Sequence, residues 1–243
     1  MKFTLPILLS LSTLVLTHPL AEPEPEAAAP AEIPAEIQVA TTEHLSNTAH
    51  FFTERAAIAA VTTENGLSTD ACKPVIVIFA RGTGEAGNVG EIAGPPLFAR
   101  LRAALTTAKT TVQGVNYAAD VIGYLAGGDA AGSRTLANLT TYASSKCPDA
   151  KLVLSGYSQG AQLVHNAAKT LSAAVTAKIA AVVVFGDPYY GQAVGGVAAE
   201  KVLSICHLLD IICTGVGDFT THLTYGNDAG TASAFIVKAV GTV

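Results

Sequence analysis

The chain has 243 residues, of which 50% are hydrophobic and 14% charged, and its formal net charge is −5. The charge is uneven, because residues 1–71 hold nine acids and two bases whereas residues 72–243 hold ten acids and twelve bases. So few charges leave no cluster of lysine and arginine for phosphate binding, which excludes nucleic acid as a leading partner. The hydrophobic fraction excludes a disordered protein, and the 172 residues from Cys72 onward are enough for one core.

The N-terminus has the pattern of a secretory signal. Lys2 precedes an apolar run over 3–16, which predicts a signal peptide over residues 1–20, cleaved near 17–21 at Thr17 or Ala21. The alternative, an N-terminal anchor helix, is disfavoured because a run of about 14 residues is too short to cross a bilayer. No other run is long enough, so we expect a secreted protein without a membrane span.

Residues 21–66 are predicted to be an acidic pro-segment or linker rich in proline and alanine. Residues 22–36 contain four prolines and five glutamates, which prevent both a continuous helix and a core. A helical pattern returns over 41–60. Whether this helix is removed, packs on the domain or masks a cleft stays open. The folded domain is expected over residues 67–243.

From Cys72 onward, buried apolar runs alternate with helical patterns. Strands are predicted over 74–80, 111–117, 151–155, 179–185 and 201–206, and helices over 96–109, 132–145, 159–171 and 231–240. Strands that are apolar on both faces and separated by helices favour a parallel sheet covered on both sides. The sequence therefore predicts a three-layer α/β domain with a mostly parallel five-stranded sheet.

The chemistry-bearing motif is Gly156-Tyr157-Ser158-Gln159-Gly160, a GxSxG pattern between a predicted strand and a predicted helix. In that context the glycines permit a sharp turn that presents the serine hydroxyl at the carboxyl edge of the sheet. The alternative is a glycine-lined turn with a solvent-exposed serine. The strand and helix on the correct sides favour Ser158 as a nucleophile.

A serine hydroxyl needs a base to accept its proton and an acid to orient that base. His222 alone among the six histidines lies in a loop after the last strand and before the final helix, so it is the candidate base.

Three carboxylates are candidates for the orienting acid: Asp187, Asp210 and Asp218. Asp210 is preferred because Cys206 and Cys213 bracket it and a short disulfide loop there would hold it in place. Asp187, in a Gly-Asp-Pro sequence, is more simply a turn residue whose side chain bonds local backbone.

These residues carry a resemblance to a known family. The segment 148–160 (PDAKLVLSGYSQG) resembles the serine signature of the cutinase family, and 206–215 (CHLLDIICTG), followed by His222, is similar to its Asp/His signature. The segment 79–88 (FARGTGEAGN) resembles the family's oxyanion loop. The resemblance extends from about Cys72 to the C-terminus, and it implies an α/β-hydrolase-like, cutinase-like fold.

The resemblance assigns roles to individual residues. It implies Ser158 as nucleophile, His222 as general base and Asp210 as its orienting acid. The backbone N–H groups of Gln159 and Thr83 would form the oxyanion hole, with the Thr83 hydroxyl as a candidate third donor. The alternative for Thr83 is that it only fixes the conformation of its loop.

The resemblance also implies an activity. It predicts a secreted, monomeric serine esterase without a cofactor, acting on cutin polyester and on short- to medium-chain esters at an apolar surface. One alternative is an acetylxylan-type carbohydrate esterase. Another is a catalytically silent, secreted surface-binding protein on the same scaffold.

The loop between acid and base departs from the family pattern. Val216 stands where a small residue is usual, and Phe219 where an aliphatic one is usual. Together with Tyr124 and Leu125, these residues are candidates for an apolar rim around the cleft. Phe219 is interpreted either as an aromatic residue at the cleft mouth or as a buried plug.

Four cysteines in a secreted chain predict two disulfides with three possible connectivities. The short loop favours Cys206–Cys213, which leaves Cys72–Cys147, and the resemblance implies the same pairing. No CxxC, HxH or HExxH motif indicates a metal site. Asn138 begins an Asn-Leu-Thr glycosylation sequon inside a predicted helix.

Overall fold

The computed structural model describes residues 61–243, so the predicted signal peptide and most of the segment 21–66 lie outside the described residues. In chain order the main elements are α1 (Gly66–Thr69), β1 (Val75–Ala80), α2 (Gly94–Leu105), β2 (Thr110–Gly114), α3 (Val121–Leu125), α4 (Ala130–Lys146), β3 (Lys151–Tyr157), α5 (Gln159–Ala168), α6 (Ala173–Ala177), β4 (Ile179–Phe185), β5 (Val202–Ile205), α7 (Ile211–Thr214) and α8 (Ala229–Val240). Short 3₁₀ segments cover Thr107–Lys109, Ala199–Lys201 and Thr221–Asp228. Within this range no helix has the length and apolar character needed to cross a membrane.

The five strands form one sheet in the order β2-β1-β3-β4-β5, and every neighbouring pair is parallel. Strand β1 pairs with β2 on one side and with β3 on the other, for example through Val77 opposite Val112 and Val153. Parallel strands of this kind need helical crossovers, which cover both faces. The predicted three-layer α/β fold is confirmed.

Alternate residues of each strand pack into different apolar clusters on the two faces. On one face Ile78 and Leu154 contribute to a core with Leu136 of α4 and Leu163 of α5. On the other face Val77, Phe79 and Val183 lie in a core with residues of α2 and α8, including Leu97, Leu101 and Ile236. The strands read as continuous apolar runs because both of their faces are buried.

The connectivity brings the candidate site residues to one edge of the sheet. The chain leaves β1 toward β2 at one side and continues through β3 at the other, which makes a topological switch point between β1 and β3. Thr83 follows β1, Ser158 follows β3 and Asp210 follows β5, all at carboxyl ends. Ligands of open α/β sheets bind outside such a point.

The helix boundaries differ from the sequence prediction where the backbone turns sharply. The helix predicted over 96–109 spans Gly94–Leu105, and it ends there because Thr106 has a φ of 73°. The helix predicted over 159–171 ends at Ala168. The helices α3, α6 and α7 were not predicted, because each has only four or five residues and depends on a capping side chain.

Residues 62–64, which precede the predicted start of the domain at residue 67, already contact the folded domain. The carbonyl oxygen of Thr62 accepts hydrogen bonds from the backbone of Asn88 and Val89, at 2.9 and 3.0 Å. Glu64 forms a two-point ion pair with Arg102 of α2, at 2.7 and 3.0 Å. These bonds attach residues 62–64, which the sequence analysis placed in the pro-segment, to the packed domain.

Two disulfides join the four cysteines as Cys72–Cys147 and Cys206–Cys213. The first links residues 75 apart, just before β1 and just after α4, and the second links residues 7 apart. In the chain-entropy model the long loop contributes about 4.5 kcal/mol to the free energy of unfolding and the short loop about 2.5 kcal/mol. The shorter bridge encloses Asp210, so its main effect is local.

Candidate active site

Ser158 lies on a strained turn between β3 and α5. Its φ is 57° and its ψ is −121°, a conformation that non-glycine residues rarely adopt. Its backbone N–H donates to the carbonyl oxygen of Phe185 at the end of β4, at 2.9 Å. A Cβ at Gly160 would collide with the carbonyl oxygen of Ala80, so the helix can approach β1 this closely only with glycine there. This is the geometry of a nucleophile elbow.

Ser158, His222 and Asp210 form a continuous chain of hydrogen bonds. The Ser158 hydroxyl lies 2.9 Å from His222 Nε2, and His222 Nδ1 lies 2.8 Å from Asp210 Oδ2. Since a carboxylate only accepts, Nδ1 carries the proton and Nε2 is left to accept the serine proton. Exposed fractions of 7%, 4% and 0% leave Ser158 as the member most open to a substrate.

The carboxylate of Asp210 is fixed by two further hydrogen bonds. It caps α7, where its Oδ1 accepts the backbone N–H of Ile212 at 2.9 Å. Its Oδ2 also accepts the hydroxyl of Tyr225 at 2.6 Å. Burial raises the pKa of the Tyr225 phenol, and the hydrogen bond to Asp210 raises this pKa further, so the hydroxyl stays a donor. A carboxylate with these partners stays in the orientation that His222 requires.

Tyr157 and Gly186 position His222 from the side of the sheet. The Tyr157 hydroxyl donates to the backbone carbonyl of His222 at 2.9 Å, and the two rings are 5.0 Å apart. Burial raises the pKa of the Tyr157 phenol, which also stays a donor. A Cβ at Gly186, where φ is 52°, would meet the His222 ring.

The other two candidate acids have different partners. Asp187 is buried, and it accepts the backbone N–H of Tyr189 at 2.9 Å and contacts His165 Nε2 at 2.8 Å. The bond to Tyr189 is the local side-chain-to-backbone contact that the Gly-Asp-Pro sequence predicts. The pair with His165 was not predicted. Asp218 is exposed and accepts the backbone N–H of Thr220 at 2.7 Å. The residue that reaches His222 is Asp210.

Two backbone N–H groups lie beside Ser158 and have no hydrogen-bond acceptor among residues 61–243. Gln159 is the first residue of α5, so its N–H has no acceptor within the helix. Thr83 lies between Gly82, whose N–H donates to Glu85 Oε2, and Gly84, whose N–H donates to Ala119 O. In the part of the chain that the structure describes, no acceptor engages the Thr83 N–H.

The side chain of Gln159 orients the Thr83 hydroxyl. Its Nε2 lies 2.7 Å from Thr83 Oγ1 and 2.8 Å from the carbonyl oxygen of Asp120. A carbonyl oxygen only accepts, so the atom that faces it must be the amide nitrogen, which then donates one proton to each partner. The Thr83 hydroxyl oxygen accepts this hydrogen bond from Gln159, so its own proton is free to donate to a bound oxygen atom.

Ser158 opens into a cleft of about 310 Å³ with a mainly apolar lining. The apolar lining residues are Ile92, Val121, Tyr124, Ile212, Phe219 and Leu223. Phe219 is 59% exposed and meets the His222 ring edge-on, so it lies at the mouth and is not a buried plug. Leu125 and Val216 are also exposed but do not line the cleft. A larger hollow of about 490 Å³ beside α6 is lined by none of the residues in this chain of bonds.

Three residues that contact this site were not predicted from the sequence: Tyr157, Tyr225 and His207. Tyr157 lies inside the GxSxG motif, but the motif gives no reason for its side chain to reach His222. His207 follows Cys206 in the chain, a position that gives no indication of its contact with Tyr225, on which its ring stacks with centroids 4.1 Å apart. Among residues 61–243 no three His, Cys, Asp or Glu side chains gather as metal ligands would.

Comparisons with known proteins agree with this geometry. The family model described as Cutinase matches residues 71–240. A protein named Cutinase from Blumeria hordei is 51% identical over 208 residues, covering 84% of this chain and 87% of its own. One from Botryotinia fuckeliana is 55% identical over 172 residues, covering 70% and 85%. The solved structure of Trichoderma reesei cutinase with a phosphonate inhibitor superposes with a TM-score of 0.71 at 42% identity, covering 86% of this chain and 94% of that chain.

Proposed function

Because the chain belongs to the cutinase family and is a serine esterase of the cutinase type, we propose that Ser158 forms the acyl-enzyme. Its oxygen attacks the ester carbonyl, while His222 accepts the serine proton and then delivers it to the departing alcohol. Water activated by His222 then releases the acid and frees Ser158. The observation that carries this proposal is the chain of bonds from Asp210 through His222 to Ser158, opening into an apolar cleft.

The proposed substrates are cutin polyester and esters of short to medium acyl chains. Among residues 61–243, nine of the twelve exposed large hydrophobic residues lie within 121–125 and 208–223, the segments beside the cleft. An apolar rim of this kind fits an insoluble polyester better than a hydrated sugar chain. We propose a monomer, as the resemblance to the family implies.

A substrate panel tests this assignment. We expect hydrolysis of p-nitrophenyl butyrate and of a dispersed aliphatic polyester, with a much lower rate on acetylated xylan. Ser158→Ala serves as the control for spontaneous hydrolysis. A strong preference for acetylated xylan would favour the carbohydrate-esterase alternative, and no turnover of any ester would favour the catalytically silent one.

Thr83 is proposed to contribute its N–H and its hydroxyl to the oxyanion hole, together with the N–H of Gln159. We expect Thr83→Val to lower kcat for p-nitrophenyl butyrate by roughly 10²- to 10³-fold, because one donor to the developing charge is lost. Thr83→Ser keeps the hydroxyl and should retain most of the rate. Equal rates for the valine and serine variants would show that the Thr83 hydroxyl is not a donor to the oxyanion, since both variants keep the backbone N–H.

Secretion is proposed from the N-terminal pattern and from the two disulfides, which persist in oxidising compartments. We propose a signal peptide over residues 1–20 and a separable acidic segment from residue 21. The bonds of Thr62 and Glu64 to the domain suggest that any second cleavage falls before them. Intact-mass measurement of the secreted protein gives the mature N-terminus.

Asn138 is proposed as a glycan acceptor. Its side chain is exposed on α4, but Thr140 of the same sequon is buried and its hydroxyl donates to Leu136 O at 2.8 Å. Attachment would therefore have to precede packing of this helix. A mass shift that Asn138→Gln abolishes would support the assignment.

A further inference from the structure

The ring of His207 bridges both ends of the segment that carries His222. Its Nδ1 lies 3.0 Å from the carbonyl oxygen of Thr221, the residue immediately before His222. Its Nε2 lies 2.7 Å from Oδ2 of Asp228, the last residue of the 3₁₀ segment Thr221–Asp228. One imidazole thus ties together two positions seven residues apart, on either side of the candidate base.

The two nitrogens of His207 face different partners. Nε2 faces the Asp228 carboxylate, which only accepts, so Nε2 carries a proton. Nδ1 lies 3.0 Å from the carbonyl oxygen of Thr221 and 3.2 Å from the hydroxyl of Thr224, so this edge of the ring contacts the start of the segment whichever of the two it pairs with. The side chains of His207 and Asp228 are 25% and 23% exposed, so their hydrogen bond is partly shielded from water. Hydrogen bonds to a carboxylate are shorter and stronger than those between neutral groups.

His207 also touches the support of Asp210. Its ring stacks on Tyr225 with centroids 4.1 Å apart and planes 14° apart. Its backbone N–H donates to the Tyr225 hydroxyl at 2.9 Å, and this hydroxyl donates to Asp210 Oδ2 at 2.6 Å. His207 therefore contacts neighbours of two members of the triad while touching neither the serine nor the cleft.

We propose that His207, paired with Asp228, is a positioning residue that holds the His222 segment and the Tyr225 ring in register with Asp210. The proposal rests on the proposed function, because it concerns the same three residues. Without the ring, the carbonyl of Thr221 would lose its contact with His207, while the Tyr157 hydroxyl would stay on the carbonyl of His222. His222 would then spend more time away from the geometry in which Nε2 accepts the serine proton. Small displacements of catalytic groups are costly, reaching about 10²-fold for roughly 1 Å.

The test uses two variants and a matched control. His207→Phe keeps an aromatic ring against Tyr225 but removes both ring nitrogens and their hydrogen bonds. Asp228→Asn keeps an acceptor but removes its charge. The control, Arg102→Met, breaks the ion pair with Glu64, which is shielded to a similar degree but lies away from the site. All variants are made in the full secreted protein and compared by kcat, KM and thermal unfolding.

We expect His207→Phe to lower kcat for p-nitrophenyl butyrate by about 10- to 100-fold with KM nearly unchanged. Asp228→Asn should give a smaller loss in kcat, and the double variant should be no slower than His207→Phe, because the two residues act as one unit. The downfield proton signal of His222 Nδ1–H should broaden or shift in both variants. Arg102→Met should change the unfolding temperature alone.

A kcat for both His207→Phe and Asp228→Asn within about twofold of the unchanged enzyme would overturn the proposal, as would a loss confined to KM. If His207→Phe does not fold, Asp228→Asn decides alone by the same two criteria. Failure of the proposed function would look different, since Ser158→Ala would then keep the activity whatever happens at His207.

Discussion

Ser158→Ala should lower kcat for p-nitrophenyl butyrate by roughly 10⁶-fold, to the level left by binding and the oxyanion hole alone. The substitution removes the atom that would attack the ester and that lies 2.9 Å from His222 Nε2. It removes little else, because alanine keeps the backbone N–H that donates to the carbonyl oxygen of Phe185. Stopped-flow or endpoint release of p-nitrophenolate measures the loss.

The fold of this variant should be intact, with an unfolding temperature close to that of the unchanged enzyme. Ser155→Ala is the matched control, since Ser155 is a fully buried serine of β3, the strand that leads to Ser158. Its hydroxyl has no hydrogen-bond partner within the described residues. Ser155→Ala should keep full activity. Retained activity in Ser158→Ala would refute the assigned nucleophile.

Asp210→Asn should lower kcat by about 10⁴-fold. Asp210 Oδ2 accepts hydrogen bonds from both His222 and Tyr225, and Oδ1 accepts one from Ile212, so both carboxylate oxygens must act as acceptors. An amide has one oxygen, so its NH₂ group would face at least one of these donors. His222 would then favour the tautomer whose Nε2 carries the proton and can no longer accept one from Ser158.

The competing carboxylates provide the controls for this second variant. Asp218→Asn is exposed and should leave kcat unchanged. Asp187→Asn disturbs the pair with His165 and should lower stability more than kcat. A loss near 10⁴-fold in Asp187→Asn, with a small loss in Asp210→Asn, would reverse the assignment of the acid.

The fold could be predicted because its signals are local. The run over 179–185 is apolar at every position, and the structure has β4 at the same residues. The GxSxG motif is equally local, since strand, turn and helix follow one another in the chain. Local patterns are therefore enough to predict that Ser158 lies on a turn between a strand and a helix.

The supports of the site could not be predicted, because they depend on contacts between distant positions. Tyr225 reaches Asp210 across 15 residues, and Tyr157 reaches His222 across 65, with no period or motif linking either pair. The ring of His207 meets both ends of the 221–228 segment only after the loops around α7 have folded. Short helices such as α7 could not be predicted either, because four residues show no helical period and a single capping side chain, Asp210, determines where α7 begins.

Labelling with a p-nitrophenyl alkylphosphonate tests most directly whether Ser158 forms the covalent intermediate. The serine oxygen attacks phosphorus, p-nitrophenolate leaves, and the phosphonyl group stays on the enzyme as a stable mimic of the acylation transition state. We expect one adduct per chain, on the peptide that contains Ser158, formed with one equivalent of p-nitrophenolate and absent in Ser158→Ala. Inactivation with the adduct on another residue, or with Ser158 unmodified, would contradict this assignment.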